Sequence, residues 1–461
     1  MLFNSTEFLI FLLLVVFLHY AIPIAWRRYF LLLVSYMFYW FWDVELSLLL
    51  VASTAVDYFA SKFISQAPLG SPKRKLALLA SMVFNLGMLG TFKYADFFSG
   101  SIADLTGVAP WPMLDLVLPL GISFYTFQTM SYTIDVYRGK IKAFHDPIDV
   151  ALYVAFFPQL VAGPIIRADV LVPQIHRAHR LDPILLRAGI ALVIWGLVKK
   201  VFFADTMAPI VNEAYGSAEV MSGLALLTAT YAFAAQIYFD FSGYTDIAIG
   251  SALMLGVKLP KNFDAPYLSC SMGEFWRRWH ISLSSWLRDY LYIPLGGNRR
   301  GVARTYCNLL ITMVLGGLWH GAGMNWVLWG AFHGIVMSIE RALGLSEEAP
   351  RPLPARLFRW FVTFHLVCFS WILFRSATLE DAVLVMRRIA MMEPGLAFSL
   401  TAPVVVLLLL FVAEVTHLRA IFVDWVTSSP RRAMFLTIAA WLLFVLVFRD
   451  TSRVEFIYFQ F

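Results

Sequence analysis

The chain has 461 residues, of which 60% are hydrophobic and 14% are charged, against roughly 25% charged residues in a typical soluble domain. This composition excludes a soluble enzyme, a disordered chain and a secreted disulfide scaffold, and it is typical of a polytopic membrane protein. The net charge of +6 fits basic cytoplasmic loops, where Lys and Arg of membrane proteins concentrate. Nucleic acid is therefore not an expected partner.

Apolar runs recur along the whole chain, and we predict helices for all of them because backbone groups in lipid must be hydrogen-bonded within their own segment. The runs lie at about residues 8–25, 29–42, 45–64, 76–92, 115–134, 149–166, 184–203, 222–257, 305–320, 325–343, 360–374, 401–416 and 434–448. Several are too short or too polar to cross a bilayer. The sequence therefore predicts an all-α membrane protein with about 11 transmembrane helices, plus re-entrant or interfacial helices around a central funnel or tunnel.

The first run ends at Arg27 and Arg28, and we predict that it is a retained helix. The residues before it lack the positive start of a cleaved signal peptide. Further basic clusters alternate with loops that are poor in Lys and Arg. Positive-inside counting places the clusters in the cytoplasm and the N-terminus outside.

Two runs are interrupted. The run at 149–166 contains Pro158, and the run at 222–257 carries Asp240, Tyr244 and Asp246 in its middle. Broken or polar helices at membrane depth survive only when they are buried in protein or line a cavity. We expect these three polar side chains to line a substrate cavity or to orient a catalytic group, and hydrogen bonding between helices is the alternative.

The segment from Glu274 to Gly301 alternates tryptophans with arginines such as Arg277, Arg278 and Arg288. It is too polar to face lipid, and it is typical of an amphipathic helix at the membrane interface. Its arginines either anchor the segment to lipid phosphates or form a basic mouth for an anionic ligand. Asn298 ends a Gly-Gly-Asn turn signal, which is weak evidence for phosphate binding by itself.

Two histidines are candidate catalytic residues. His320 follows Trp319 at the end of an apolar run, and an ionisable residue in a membrane segment is a functional hypothesis by default. It would act as a general base, and the alternative is a core histidine bonded to a backbone carbonyl. His280 is a weaker candidate of the same kind. The sequence has neither HxxxH nor HExxH spacing, so no metal site is predicted, and it has no GxSxG serine-hydrolase motif.

Five long segments in order resemble the motifs of the membrane-bound O-acyltransferase family, in its bacterial alginate O-acetyltransferase branch. They are SFYTFQTMSYTIDVYRG (Ser123–Gly139), FFPQLVAGPIIR (Phe156–Arg167), YFDFSGYTDIAIG (Tyr238–Gly250), FWRRWHISLSSWLRDYLYIPLGG (Phe275–Gly297) and GLWHGAGMNWVLWGAFHG (Gly317–Gly334). The resemblance covers nearly the whole chain. It implies one membrane domain over 1–461, with N-terminal helices in 1–145, a catalytic core in 146–345 and C-terminal helices in 346–461.

The resemblance also implies an activity. The family's near-invariant histidine maps onto His320 and its second functional histidine onto His280. Acetyl-CoA would be the cytoplasmic donor, with no bound cofactor, and the acetyl group would pass across the bacterial inner membrane to a periplasmic acetyltransferase partner of the polysaccharide secretion machinery. Substrate contacts are then expected from Trp319 and Asn298, from the arginines at 277, 278 and 288, and from the polar residues at 240, 244 and 246.

Two other classes of function remain open at this point. A transporter that exports polymer without acyl chemistry would explain the polar helix around Asp240, although no inverted repeat of the transporter kind is visible. A structural scaffold for polymer secretion would need no catalytic histidine. Within the enzyme hypothesis, the sequence leaves open whether His320 is a general base or a transient acetyl carrier.

Overall fold

The computed structural model is helical throughout the residues that it describes, which are 1–160, 163–177, 180–345, 352–399, 401–436, 438–439 and 456–457. Within these residues the only strand-type pairing is an isolated bridge between Met221 and Leu396. The predicted all-α class is thus confirmed. The chain divides into two compact units, the first formed by Met1–Val193 and Ile247–Pro260, the second by Ile194–Asp246 and Lys261–Phe461.

The first unit contains the N-terminal helices. They are α1 (Thr6–Ala21), α2 (Ile24–Trp40), α3 (Ser47–Gln66), α4 (Pro72–Leu89), α5 (Ala95–Thr106), α6 (Ile122–Tyr137), α7 (Pro147–Ala155), α8 (Phe157–Leu160), α9 (Ala168–Ile175) and most of α10 (Pro183–Leu197). Helices α3, α4 and α6 pack around the buried carboxylate of Asp57. Ser81 and Thr133 each donate a hydroxyl hydrogen bond to it at 2.5 Å, and the Asn85 amide donates at 2.6 Å. Neutral donors thus hold the three helices together.

The second unit contains most of the remaining helices. They are α11 (Asp205–Gly216), α12 (Gly223–Met254), whose last turns belong to the first unit, α13 (Met272–Arg278), α14 (Ile281–Leu287), α15 (Val302–His320), α16 (Met324–Ala342), α17 (Leu353–Arg375), α18 (Leu379–Ala390), α19 (Thr401–Val415) and α20 (Leu418–Thr427). A π-helical segment, Val198–Ala204, joins α10 to α11. The predicted run at 434–448 lies mostly outside the described residues.

Five helical segments are long and apolar enough to cross a membrane, or six if the bent pair α19 and α20 counts as one span. The five are Ser47–Gln66, Pro72–Thr106, Gly223–Met254, Val302–His320 and Leu353–Arg375. The expected count of about 11 spans is therefore not confirmed. Part of the difference arises where apolar runs fold into short pieces. Within the run at 149–166, the described helices are only α7, of nine residues, and α8, of four residues.

Candidate active site

His320 is the last residue of α15, where the backbone leaves the helix at Gly321 with an extended φ of −156°. The side chain is 4% exposed. The C-terminal end of a helix carries partial negative charge. The fold thus places an ionisable ring in a buried setting at the end of a helix.

Close packing of α15 against α16 surrounds His320 with aromatic rings. A Cβ on Gly317 would lie 2.2 Å from the Trp326 carbonyl oxygen, and one on Gly330 would lie 2.2 Å from the Met313 carbonyl oxygen. Only glycine allows the two backbones to approach so closely. The His320 ring then lies 4.9–6.2 Å from the ring centroids of Trp319, Trp326, Trp329 and Phe374.

His280 lies between α13 and α14, outside the candidate membrane spans, with a left-handed backbone at φ 42°. Such a conformation is costly for a residue with a Cβ and is often found at functional sites. The side chain is fully buried, and burial lowers the pKa of His280 to about 3. This imidazole is therefore neutral at physiological pH.

Asn262 sets the tautomer of His280. The backbone N–H and the hydroxyl of Ser282 both donate to Asn262 Oδ1, at 3.1 Å and 2.9 Å. The atom that receives a backbone N–H must be the amide oxygen, so the orientation of this amide is fixed. His280 Nδ1 lies 3.3 Å from the same oxygen, and it must therefore carry the proton. The lone pair of His280 consequently resides on Nε2.

Trp319 connects the two histidines. Its ring centroid lies 5.9 Å from that of His280 and 4.9 Å from that of His320. The Phe241 ring packs edge-on against the His280 ring, with centroids 4.7 Å apart. The structure thus brings together three residues that the sequence predicts for the site, the two histidines and Trp319.

The predicted polar residues of α12 lie in buried ion-pair networks. Asp240 pairs with Lys200 at 2.9 Å, and Lys200 also pairs with Asp205 at 2.8 Å. Asp246 pairs with Lys199 at 2.9 Å and with Arg419 at 2.8 Å. These contacts join α12 to the π-helical segment and to α20. A role for Asp240 and Asp246 in substrate binding stays a prediction.

The C-terminal residues Phe456 and Ile457 contact the same helix. The Ile457 backbone N–H donates to the Asp240 carboxylate at 2.8 Å. The Phe456 ring stacks on Tyr244 with a centroid distance of 4.1 Å and lies 5.9 Å from Phe241. Phe456 therefore supports Phe241, whose ring packs on His280, and it covers Tyr244, the third residue of α12 that the sequence predicts for the site.

The predicted arginines lie at the ends of the short helices. Arg277 and Arg278 occupy the last turn of α13, where Arg277 is exposed and Arg278 pairs with Glu274 at 2.9 Å. Arg288 directly follows α14, exposes 62% of its side chain and pairs with Asp289 at 2.8 Å. Exposed guanidinium groups of this kind are accessible to an anionic ligand.

Asn298 is exposed in the turn before α15. The turn uses left-handed φ values at Gly296 and Gly297, of 114° and 55°. The Asn308 amide donates to the Gly297 carbonyl at 2.9 Å and ties the turn to α15. The role of Asn298 as a ligand contact stays a prediction. No group of three or more potential metal ligands occurs in the described part of the chain.

Several residues around the site were not predicted from the sequence. Asn262 lies between α12 and α13, but its pairing with His280 depends on a turn that the sequence does not reveal. Lys199, Lys200 and Arg419 are charges inside or beside apolar runs. An intramembrane charge usually has a partner, so these residues did carry a usable signal.

Comparison with known proteins gives consistent matches. The family model described as MBOAT, membrane-bound O-acyltransferase family, matches residues 4–379. The probable alginate O-acetylase of Pseudomonas aeruginosa is 46% identical over 388 residues, covering 83% of this chain and 73% of that protein. The peptidoglycan O-acetyltransferase of Helicobacter pylori is 36% identical over 420 residues, covering 84% and 79%. The teichoic acid D-alanyltransferase of Bacillus subtilis is 30% identical over 284 residues, covering 57% and 70%.

Proposed function

The chain belongs to the membrane-bound O-acyltransferase family and is an O-acyltransferase, and on that premise we propose that it moves acetyl groups from cytoplasmic acetyl-CoA across the bacterial inner membrane. The acceptor is a hydroxyl on a periplasmic acetyltransferase partner, which then O-acetylates an alginate-like exopolysaccharide. The single observation that carries this proposal is the buried pair of histidines on either side of Trp319.

The choice of polymer is supported by the relatives. The alginate O-acetylase of Pseudomonas aeruginosa is more similar to this chain than the peptidoglycan and teichoic acid enzymes are, at 46% identity against 36% and 30%. All three names describe acyl transfer to a cell-envelope or extracellular polymer. We therefore propose an exopolysaccharide as the final acceptor.

The proposed step is transfer of an acetyl group from sulfur to oxygen. The acceptor hydroxyl oxygen attacks the thioester carbonyl carbon, so that the C–O bond forms and the C–S bond breaks. His320 takes the hydroxyl proton and returns it to the departing thiolate, which leaves as free CoA. The surrounding rings exclude water that would hydrolyse the thioester, and the partial negative charge at the end of α15 offsets part of the cost of a transient imidazolium.

His280 has a different role in this proposal. A pKa of about 3 makes it too weak a base to take the hydroxyl proton. Its Nε2 lone pair instead accepts a hydrogen bond from the acceptor hydroxyl and orients it. His280 is thus a hydrogen-bond acceptor in the ground state, and His320 is the group that carries the proton.

The donor side is assigned by charge. CoA carries several phosphates, and guanidinium groups bind phosphate with paired hydrogen bonds. The exposed groups of Arg277 and Arg288, with Arg278 and Asn298 beside them, provide the basic surface that we propose for the phosphates. Positive-inside counting places this segment on the cytoplasmic side.

The proposal is tested with the full chain in lipid vesicles, by measuring CoA release from acetyl-CoA with and without the purified periplasmic partner. His320→Ala should lower acetyl transfer by about 10²–10⁴-fold, as expected when a general base is lost. His365→Ala, a histidine of α17 that bonds to the Phe361 carbonyl, is the control and should keep wild-type turnover.

Two other results would contradict the proposal. Wild-type turnover in His320→Ala would exclude a catalytic role for this residue. Polymer flux into vesicles without thioester cleavage would favour the transporter. Acid quenching during turnover separates the two roles of His320, because an acetyl carrier would leave label on the protein and a general base would not.

A further inference from the structure

The C-terminal part of the chain contacts the polar middle of α12, and these contacts lie within the second unit. The family match ends at residue 379, so α19, α20 and the residues after them lie beyond it. From the sequence, the polar residues of α12 either contact substrate or orient a catalytic group. Their partners in the structure favour the second role.

Both carboxylates in the middle of α12 are paired with cations inside the protein. Arg419 of α20 and Lys199 of the π-helical segment each pair with Asp246, at 2.8 Å and 2.9 Å. Lys200 pairs with Asp240 at 2.9 Å. Asp240 and Asp246 are at most 4% exposed. A substrate group could reach either carboxylate only by displacing a buried partner, and a buried charge that loses its partner is strongly destabilising.

The C-terminal segment, Phe456–Ile457, covers Asp240 and Tyr244. The Ile457 backbone N–H donates to Asp240 Oδ2 at 2.8 Å, and the Phe456 ring stacks on Tyr244 with centroids 4.1 Å apart. Both residues of the segment are at most 2% exposed. A hydrogen bond to an ionised carboxylate is roughly twice as strong as one between neutral groups. Asp240 therefore anchors this segment through its backbone.

The anchored segment is separated from His280 by a single ring. The Phe456 ring lies 5.9 Å from the Phe241 ring, and the Phe241 ring lies 4.7 Å from the His280 ring. Burial lowers the pKa of His280 to about 3. Water that entered beside Phe241 would therefore raise the pKa of His280 toward its ordinary value. The neutral state of His280 thus depends on rings that the C-terminal segment holds in place.

We propose that the C-terminal segment is a wall of the active site, and that Asp240, which anchors it, is a positioning residue for His280. Asp240 acts through the rings of Phe456 and Phe241, and Tyr244 supports the same stack of rings. This assignment rests on the proposed function, because it takes His280 as the group that orients the acceptor hydroxyl. It gives the site a component that lies outside the family match.

The first test measures the anchor without using activity. Ile457→Cys keeps the backbone N–H, and its buried thiol should react slowly with a water-soluble maleimide on the full chain in detergent micelles. Adding Asp240→Leu removes the acceptor and should speed labelling at least about tenfold, whereas adding Asp240→Asn, whose amide oxygen can still accept, should change it less. Peptide masses identify the labelled cysteine. Cys368, which is 2% exposed, should stay unlabelled if the fold is intact.

The second test measures the effect of the anchor on His280. Ile457→Pro removes the N–H that Asp240 accepts, and Ile457→Ala keeps it, so the pair separates the hydrogen bond from the side chain. Ile457→Pro should lower kcat about tenfold and leave the KM for acetyl-CoA unchanged, because His280 orients the acceptor and does not bind the donor. Ile457→Ala should lose less. The acid limb of the pH–rate profile should move to higher pH in Ile457→Pro, as water reaches His280.

A double-mutant cycle tests whether Asp240 acts through the segment. Asp240→Leu and Ile457→Pro break the same hydrogen bond, so the double variant should lose little more kcat than the more damaged single variant. Losses that multiply would mean that Asp240 acts by another route and would contradict the assignment. The exposed Phe435→Ala is the control and should match the wild type in kcat, in KM and in the acid limb.

Three results would overturn the proposal. A raised KM for acetyl-CoA with unchanged kcat in Ile457→Pro would mean that this region binds the donor. A lower kcat with an unmoved acid limb would mean a general effect on the fold. Wild-type kcat in Ile457→Pro, beside a wild type that cleaves acetyl-CoA, would remove the segment from the site and leave the proposed function intact. A wild type that does not cleave acetyl-CoA would instead contradict the proposed function, and labelling at Ile457→Cys would still test the anchor.

Discussion

His280 and His320 contact the same indole ring, but the protein holds them in different ways. Asn262 fixes His280 by a hydrogen bond to Nδ1, within a left-handed turn. His320 lies at the end of α15 among aromatic rings, next to the negative end of that helix. One ring is held in a single neutral tautomer by an amide, and the other is buried among aromatic rings at the end of a helix.

This difference teaches how one site can use two histidines without redundancy. A neutral imidazole with a fixed tautomer accepts a hydrogen bond from a hydroxyl but does not keep its proton. A histidine at a helix C-terminus is better able to become an imidazolium. The comparison therefore predicts that mutations around the two histidines have unequal effects. The first of these mutations is at Asn262, the residue that fixes His280.

The largest effect outside the histidines should come from Asn262. Asn262→Leu removes the acceptor of His280 Nδ1, so the ring can adopt the tautomer that protonates Nε2. We expect acetyl transfer to fall by about 10²-fold, because an N–H at Nε2 would face the acceptor hydroxyl and leave a buried hydrogen bond unmade, at a cost of about 1–3 kcal/mol. Single-turnover thioester cleavage measures the effect. Turnover within twofold of the wild type would mean that the tautomer of His280 is irrelevant.

Asn262→Asp tests the same contact through pH. A carboxylate beside Nδ1 stabilises the imidazolium and raises the pKa of His280 from its value of about 3. His280 then gains a proton on Nε2 at a higher pH than in the wild type. The acid limb of the pH–rate profile should therefore move to higher pH, while the rate at alkaline pH recovers more than in Asn262→Leu. An unmoved acid limb would contradict this.

Phe456→Ala should have a smaller effect on activity. Phe456 is fully buried against Tyr244 and Phe241, and truncation of a buried Phe costs about 3–5 kcal/mol of stability. Loss of this support should loosen Phe241 against His280 and lower turnover about tenfold, the rate equivalent of about 1.4 kcal/mol. Thermal unfolding in detergent and turnover are measured together, with the exposed Phe435→Ala as the control. Equal results for the two variants would exclude a supporting role for the C-terminal segment.

The smallest effect is expected from Ser282→Ala. The variant removes the hydroxyl that donates to Asn262 Oδ1 but keeps the backbone N–H that donates to the same atom. The amide orientation is therefore retained, and turnover should fall at most about tenfold, the effect of one neutral hydrogen bond. A loss as large as that of Asn262→Leu would show that the hydroxyl itself acts in the reaction.

The fold class and the position of His320 could be predicted from the sequence. Apolar runs predict helices because backbone groups in lipid must be hydrogen-bonded within their own segment. An ionisable ring near glycines at the end of such a run indicates a functional residue. The number of spans could not be predicted in the same way, since the described part of an apolar run such as 149–166 folds into two short helices. An apolar run shows only that a segment avoids water. It does not distinguish a segment that crosses lipid from one that is buried inside the protein.

The partners of the site residues could not be predicted either. Asn262 and His280 are separated by 18 residues, and their contact depends on the left-handed turn at His280. Asp240 and Asp246 were predicted as polar groups of a cavity wall, but their ion pairs with Lys200, Lys199 and Arg419 depend on how helices pack. The catalytic and ligand-binding roles assigned to these residues stay predictions.

The most direct test of the central claim compares His320→Gln with His280→Gln in single-turnover thioester cleavage by the full chain in lipid vesicles, with saturating acetyl-CoA and the periplasmic partner. We predict that His320→Gln loses about 10²–10⁴-fold at every pH, because the proton acceptor is gone. His280→Gln should lose at least tenfold less, since the Gln carbonyl can still accept a hydrogen bond from the acceptor hydroxyl. Equal losses, or a larger loss in His280→Gln, would contradict the division of roles between the two histidines.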